Sequence, residues 1–98
     1  MLSVANELHL IIGFVKDKDV SNILSLFPKT ANYYFTKAQI PRALNENDLT
    51  TLAGKYDLTG KSYADVNTAL QEALTHATKD DLILICGSVF LVGEITYL

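Results

Sequence analysis

Two short and almost wholly apolar runs set the terms for any fold of this chain: Leu8 to Phe14, interrupted by His9 and reaching Gly13, and Leu82 to Gly87. A continuous apolar run of five to seven residues, without the alternation of a half-exposed strand, suits a strand covered on both faces. Between them the apolar period changes to that of a helix. Asp19 is placed to cap a helix whose Val20, Ile23, Leu24 and Phe27 follow an i, i+3, i+4, i+7 stripe, and Pro28 stops it. Tyr33 to Thr36, aromatic and β-branched, reads as a second strand.

From about Asp48, the residues Leu49, Leu52, Ala53 and Tyr56 repeat the helical spacing, with Gly60 beyond the helix end. Ser62 to Asp65 has the form of a capping box, with Ser62 as the cap. The helix that follows is the clearest element: Val66, Ala69, Leu70, Ala73, Leu74 and Ala77 make one narrow apolar stripe. Val89 to Tyr97 satisfies neither the helix nor the strand template. Strands alternating with amphipathic helices predict an α/β fold, a three-layer αβα arrangement of a mostly parallel sheet with helices on both faces.

Composition narrows the function. With 98 residues the chain forms one domain at most, and 49% hydrophobic with 19% charged residues is the balance of a globular protein. A net charge of −3 without a Lys/Arg cluster gives no footing for nucleic acid. No stretch approaches the ~20 apolar residues of a membrane span, and no signal peptide is evident. The single cysteine, Cys86, excludes an internal disulfide and is expected to be a buried, inert thiol, in keeping with a cytoplasmic location.

Ligands of open α/β sheets bind at the carboxyl ends of strands, so the leading candidate is Gly87-Ser88, where free N–H groups and a hydroxyl could hold a carboxylate. Ser88 could equally be an ordinary helix cap. Lys16, Asp17 and Lys18 follow the first strand and could line a cleft on its phosphate or metal side, or form a solvated loop in which Asp19 merely caps the helix. Arg42 could grip a carboxylate, though a structural ion pair is the plainer use. Gly60-Lys61-Ser62 imitates the end of a phosphate-binding loop, but position 55 is Lys55 rather than glycine and a helix precedes it. His76 is expected on the surface, and His9 in a strand with a local hydrogen bond. Cys86 and the two histidines lack metal-ligand spacing.

Several strings, taken in order, resemble the C-terminal domain of folylpolyglutamate synthase/dihydrofolate synthase in the Mur ligase superfamily. They are Ile12-Gly13 through Asp17-Lys18-Asp19, Tyr34-Phe35-Thr36, Ile40-Pro41-Arg42-Ala43, Ser62-Tyr63-Ala64-Asp65-Val66, and Asp81 through Gly87-Ser88-Val89-Phe90. The resemblance implies a parent enzyme in which ATP, with Mg2+, phosphorylates a substrate carboxylate and the amine of glutamate attacks the acyl phosphate. It implies that this domain closes on an N-terminal nucleotide-binding domain and binds glutamate through Gly87 and Ser88, beside a folate-type substrate. The family's opening strand, with its Asp-Gly-Ala-His-Asn type motif, has no counterpart before Leu8, and neither His9 nor His76 has the neighbours to replace it. Residues 1–98 are therefore expected to be a partial domain with 1–7 a poorly defined lead-in, either cut downstream of that unit or descended from a degenerate copy. Alone, the chain is expected to bind no cofactor, to be catalytically silent, and to self-associate through an exposed sheet edge. The alternative reading is a stand-alone, non-catalytic α/β ligand-binding or regulatory module, to which Gly87-Ser88 gives a site but no reaction.

Overall fold

β1, Leu8–Gly13, is paired on both sides, which is why its apolar run is uninterrupted except at His9. The computed structural model describes residues 7–16, 19–87 and 93–94. After β1 come α1 (Val20–Leu24), β2 (Asn32–Phe35), α2 (Glu46–Gly54), β3 (Gly60–Ser62), α3 (Val66–His76) and β4 (Leu82–Gly87). The sheet order is β3-β2-β1-β4, and every neighbouring pair is parallel. The register aligns Leu10 with Tyr33 and with Leu84, and Gly13 with Gly87.

Alternation along the strands divides the core into two. Leu10, Ile12, Tyr33 and Phe35 meet Val20 and Leu24 of α1 and Leu49 and Ala53 of α2. On the other face, Ile11 and Tyr34 meet Val66, Ala69, Leu70 and Ala73 of α3. Phe35, Ile11, Ile12, Leu24 and Leu49 are fully buried, each contributing about 1.5–3 kcal/mol by burial. The expected three-layer arrangement, with helices on both faces, is what forms.

The helix boundaries differ from the local signals in instructive ways. α1 ends at Leu24, before the Pro28 stop, because the chain tightens into turns from Ser25; Phe27 still packs on the core while Leu26 is 79% exposed. α2 starts at Glu46, since Asn45 accepts from the N–H groups of Asn47 (2.8 Å) and Asp48 (3.3 Å). α3 is capped by Asp65, whose Oδ1 accepts from Thr68 N at 2.8 Å, and not by Ser62. Ser62 instead closes β3, where its hydroxyl donates to Asn47 Oδ1. β3 itself was not legible as a strand: three mostly polar residues carry no apolar signal, and their place is set by pairing with Tyr33, Tyr34 and Phe35. This pairing also disposes of the mimic of a phosphate loop, because Gly60 to Ser62 is extended strand.

The largest correction concerns β4. The sequence predicts a strand covered on both faces, yet among the described residues β4 is the edge strand, with Leu82 56% and Leu84 44% exposed. Cys86 is accordingly half-buried rather than sealed. Burial still raises the thiol pKa, which disfavours the reactive thiolate.

Candidate functional site at the carboxyl edge of the sheet

The four described strands run in parallel, so their carboxyl ends open on one edge and the segments that leave them are brought together there. The exits of β1 and β2 are laced directly: Lys16 N donates to Arg42 O at 2.8 Å, Leu44 N donates to Phe14 O at 2.8 Å, and Val15 bridges Ala43. This places Lys16 and Arg42, both exposed, on adjoining segments of one edge. Thr36, fully buried, locks the next exit, its N–H donating to Ile12 O and its hydroxyl to Tyr63 O, each at 2.9 Å.

Beyond Thr36, Lys37 Nζ lies 3.7 Å from Glu46 Oε1, an atom that is buried without a hydrogen-bond donor. Gln39 N donates to Glu94 Oε2 at 2.7 Å, and Asn67 Nδ2 donates to Glu94 O at 2.9 Å, so Glu94 ties this exit to α3. None of Lys37, Gln39, Glu46 or Glu94 stood out in the sequence. Lys37 could have been found by its position two residues after the end of β2; the other three carry no local signal.

Gly87 adopts φ +115°, and a Cβ there would sit 2.0 Å from Gly13 O. Both conditions demand glycine. Of the predicted site residues, Gly87, Lys16 and Arg42 thus reach the same edge, while Ser88, Asp17 and Lys18 lie outside the described residues.

At the opposite, amino end, Glu7, His9 and Asp81 present ligand atoms within 4.8 Å of one another. Their donors and acceptors are already engaged. Asp81 accepts from Glu7 N and Thr78 Oγ1 through Oδ1, and from His9 Nε2 and Thr78 N through Oδ2, which occupies the lone-pair sites of a carboxylate. His9 Nδ1 meets Tyr34 Oη at 2.9 Å. The arrangement fits a structural tie, and the His9 bond proves to be tertiary, spanning 72 residues, rather than local. His76, as expected, is exposed, 3.8 Å from Glu72.

Among the described residues, an all-parallel sheet between helical layers, with glycines and basic side chains at its carboxyl edge, defines a doubly wound α/β domain, a class whose ligands bind at that edge. The family model described as Mur ligase, glutamate ligase domain, matches residues 2–89, and the chain belongs to that family. It is 32% identical over 93 residues to the Haloferax volcanii protein named probable bifunctional folylpolyglutamate synthase/dihydropteroate synthase, with 91% of this chain and 11% of that protein covered. It is 28% identical over 86 residues to Escherichia coli dihydrofolate synthase/folylpolyglutamate synthase, with 87% of this chain and 19% of the relative covered. The solved structure of E. coli FolC in complex with DHPP and ADP superimposes with a TM-score of 0.80 at 27% identity, covering 93% of this chain and 21% of that one. The chain therefore spans about a fifth or less of the length of these relatives. Among the described residues no helix is long and apolar enough to cross a membrane.

Proposed function

We propose that this chain is the glutamate-binding C-terminal domain of an ATP-dependent ligase that adds glutamate to folate or dihydropteroate in the cytoplasm, and that residues 1–98 are a partial form of that domain. The observation that carries this reading is the family match over residues 2–89, joined to relatives that are folate ligases several times longer. Gly87 and Ser88 receive the carboxylate of glutamate at the end of β4. Lys16, Asp17 and Lys18 line the cleft towards the nucleotide, and Arg42 supplies a second, carboxylate-directed charge. Lys16 and Arg42 sharing one edge supports this, because amide formation through an acyl phosphate requires negative charge to be held and the amine to be aligned with the acyl carbon.

ATP and Mg2+ belong to the N-terminal nucleotide-binding part. The described carboxylates at the carboxyl edge do not fit a magnesium site here: Glu46 faces Lys37 and Glu94 accepts from Gln39 N–H. The chain alone is then catalytically silent, and it self-associates through its open sheet edge.

The test uses the purified chain in two arms. With ATP, Mg2+, folate and glutamate, ADP release should stay at background, whereas release above it overturns the silent reading. L-glutamate should shift the backbone amide resonance of Gly87 saturably. No shift there at any glutamate concentration, together with no ligase activity when the chain is fused to a relative's nucleotide-binding part, overturns the functional reading.

A further inference from the structure

At the amino end of the sheet, away from the edge that gathers Lys16, Arg42 and Gly87, the starts of β2 and β3 and the end of α3 form a pocket of about 180 Å³. Every residue that lines it is among the described ones. Its aromatic wall is Tyr34, Tyr63 and His76: the Tyr34 ring centroid is 6.1 Å from that of Tyr63 and 6.4 Å from that of His76. The Tyr34 ring is fixed in place, because its Oη meets His9 Nδ1 at 2.9 Å and His9 Nε2 is held in turn by Asp81. A cavity of about 150 Å³ holds one benzene ring, so this pocket takes one compact group and neither a nucleotide nor a folate.

The surrounding charges set the kind of group. His76 is the last residue of α3, so the negative end of the helix dipole lies at the rim, and Glu72 Oε1 stands 3.8 Å from His76 Nε2. Glu7 accepts from Asn32, another lining residue, and Asp81 lies behind His9. Burial, then Tyr63 and these three carboxylates, raise the Tyr34 phenol, and burial followed by Glu72 does the same to Tyr63; the field at the rings is negative. The opposing charge is Lys61, which stands in register with Tyr34 but is exposed and has no ion-pair partner among the described residues, so its ammonium can point to water. We propose that this pocket binds a small quaternary ammonium compound of the choline class over the face of Tyr34. A cation within about 6 Å of a ring centroid is attracted by the ring quadrupole, and rings spaced as these are bring more than one within that reach. A quaternary nitrogen also has no N–H to leave unpaired against an aromatic wall, whereas a primary ammonium would forfeit hydrogen bonds to water.

The test is a titration of the purified chain with choline at constant ionic strength, followed by the ring resonances of Tyr34 and Tyr63. These should shift saturably, and 3,3-dimethylbutan-1-ol, which has the shape of choline without its charge, should bind about tenfold more weakly. His76→Ala and Glu72→Gln, both at the exposed rim, should each weaken choline binding about threefold or more with unchanged circular dichroism, while Lys61→Ala should tighten it. The chain fused to a relative's nucleotide-binding part should bind choline as the chain alone does. No saturable shift, equal affinity for the uncharged alcohol, unchanged affinity in both rim variants, weaker binding by Lys61→Ala, or loss of binding in the fused protein, where a segment of the longer polypeptide would then cover the pocket, overturns the proposal. None of these results bears on the glutamate-induced shift at Gly87, so the two readings fail separately.

Discussion

His9 Nε2 lies 2.9 Å from Asp81 Oδ2, joining the second residue of β1 to the residue that precedes β4. His9 is 2% exposed, and its other nitrogen is occupied by Tyr34 Oη. Removing the imidazole strands a buried phenol and a carboxylate and opens a cavity. His9→Ala is expected to cost about 2–4 kcal/mol, while His76→Ala on the exposed side of α3 stays within about 0.5 kcal/mol. Urea denaturation of both variants checks this, and equal costs would contradict the buried tie.

The same pair sets an acid limit on the fold. Backbone N–H groups of Thr78 and Glu7, then His9, hold the Asp81 carboxyl well below the usual carboxylate range. A depressed folded pKa means that the unfolded chain takes up the proton first. The contribution is complete above about pH 4 and declines as pH falls towards the folded value. Asp81→Asn should therefore flatten the loss of stability between about pH 4 and pH 2 while lowering stability at neutral pH. Parallel urea-midpoint curves for the two proteins would refute the assignment.

Gly87 carries both a positive φ and a steric veto. Gly87→Ala is expected to destabilise the chain by at least about 1–3 kcal/mol, since the new methyl must displace the backbone of Gly13. A thermal melt indistinguishable from the parent would show that the β1–β4 approach at these two glycines is looser than described.

The choice of cap for α3 is also measurable. Asp65→Ala should lose about 1 kcal/mol, whereas Ser62→Ala should lose clearly less because its hydroxyl only donates to Asn47 on a solvent-facing edge. The reverse order would restore the capping-box reading.

For activity, the chain must be completed with a nucleotide-binding part. There, Arg42→Ala should raise the KM for glutamate about tenfold, equivalent to about 1.4 kcal/mol, with Arg42→Lys recovering little because the ammonium lacks the planar fork. An unchanged KM would return Arg42 to a structural role.

What could be read from the residues in order was whatever depends on spacing within one element. The apolar runs announced β1 and β4, the stripe from Val66 to Ala73 announced α3, and the alternation announced a parallel sheet between helices. Family membership was legible for the same reason, being a matter of ordered local strings. Gly87 was placed at a strand end, though its need for glycine comes from Gly13, 74 residues away. What only the tertiary structure decided is non-local. β3 exists because β2 offers it a partner, Asp65 outcompetes Ser62 because pairing draws Ser62 into the sheet, and Lys16 meets Arg42 because two strand exits are laced together. Strand order likewise decides exposure: an apolar run states a preference for burial, but among the described residues β4 lies at the edge of the sheet, and no local pattern announces that.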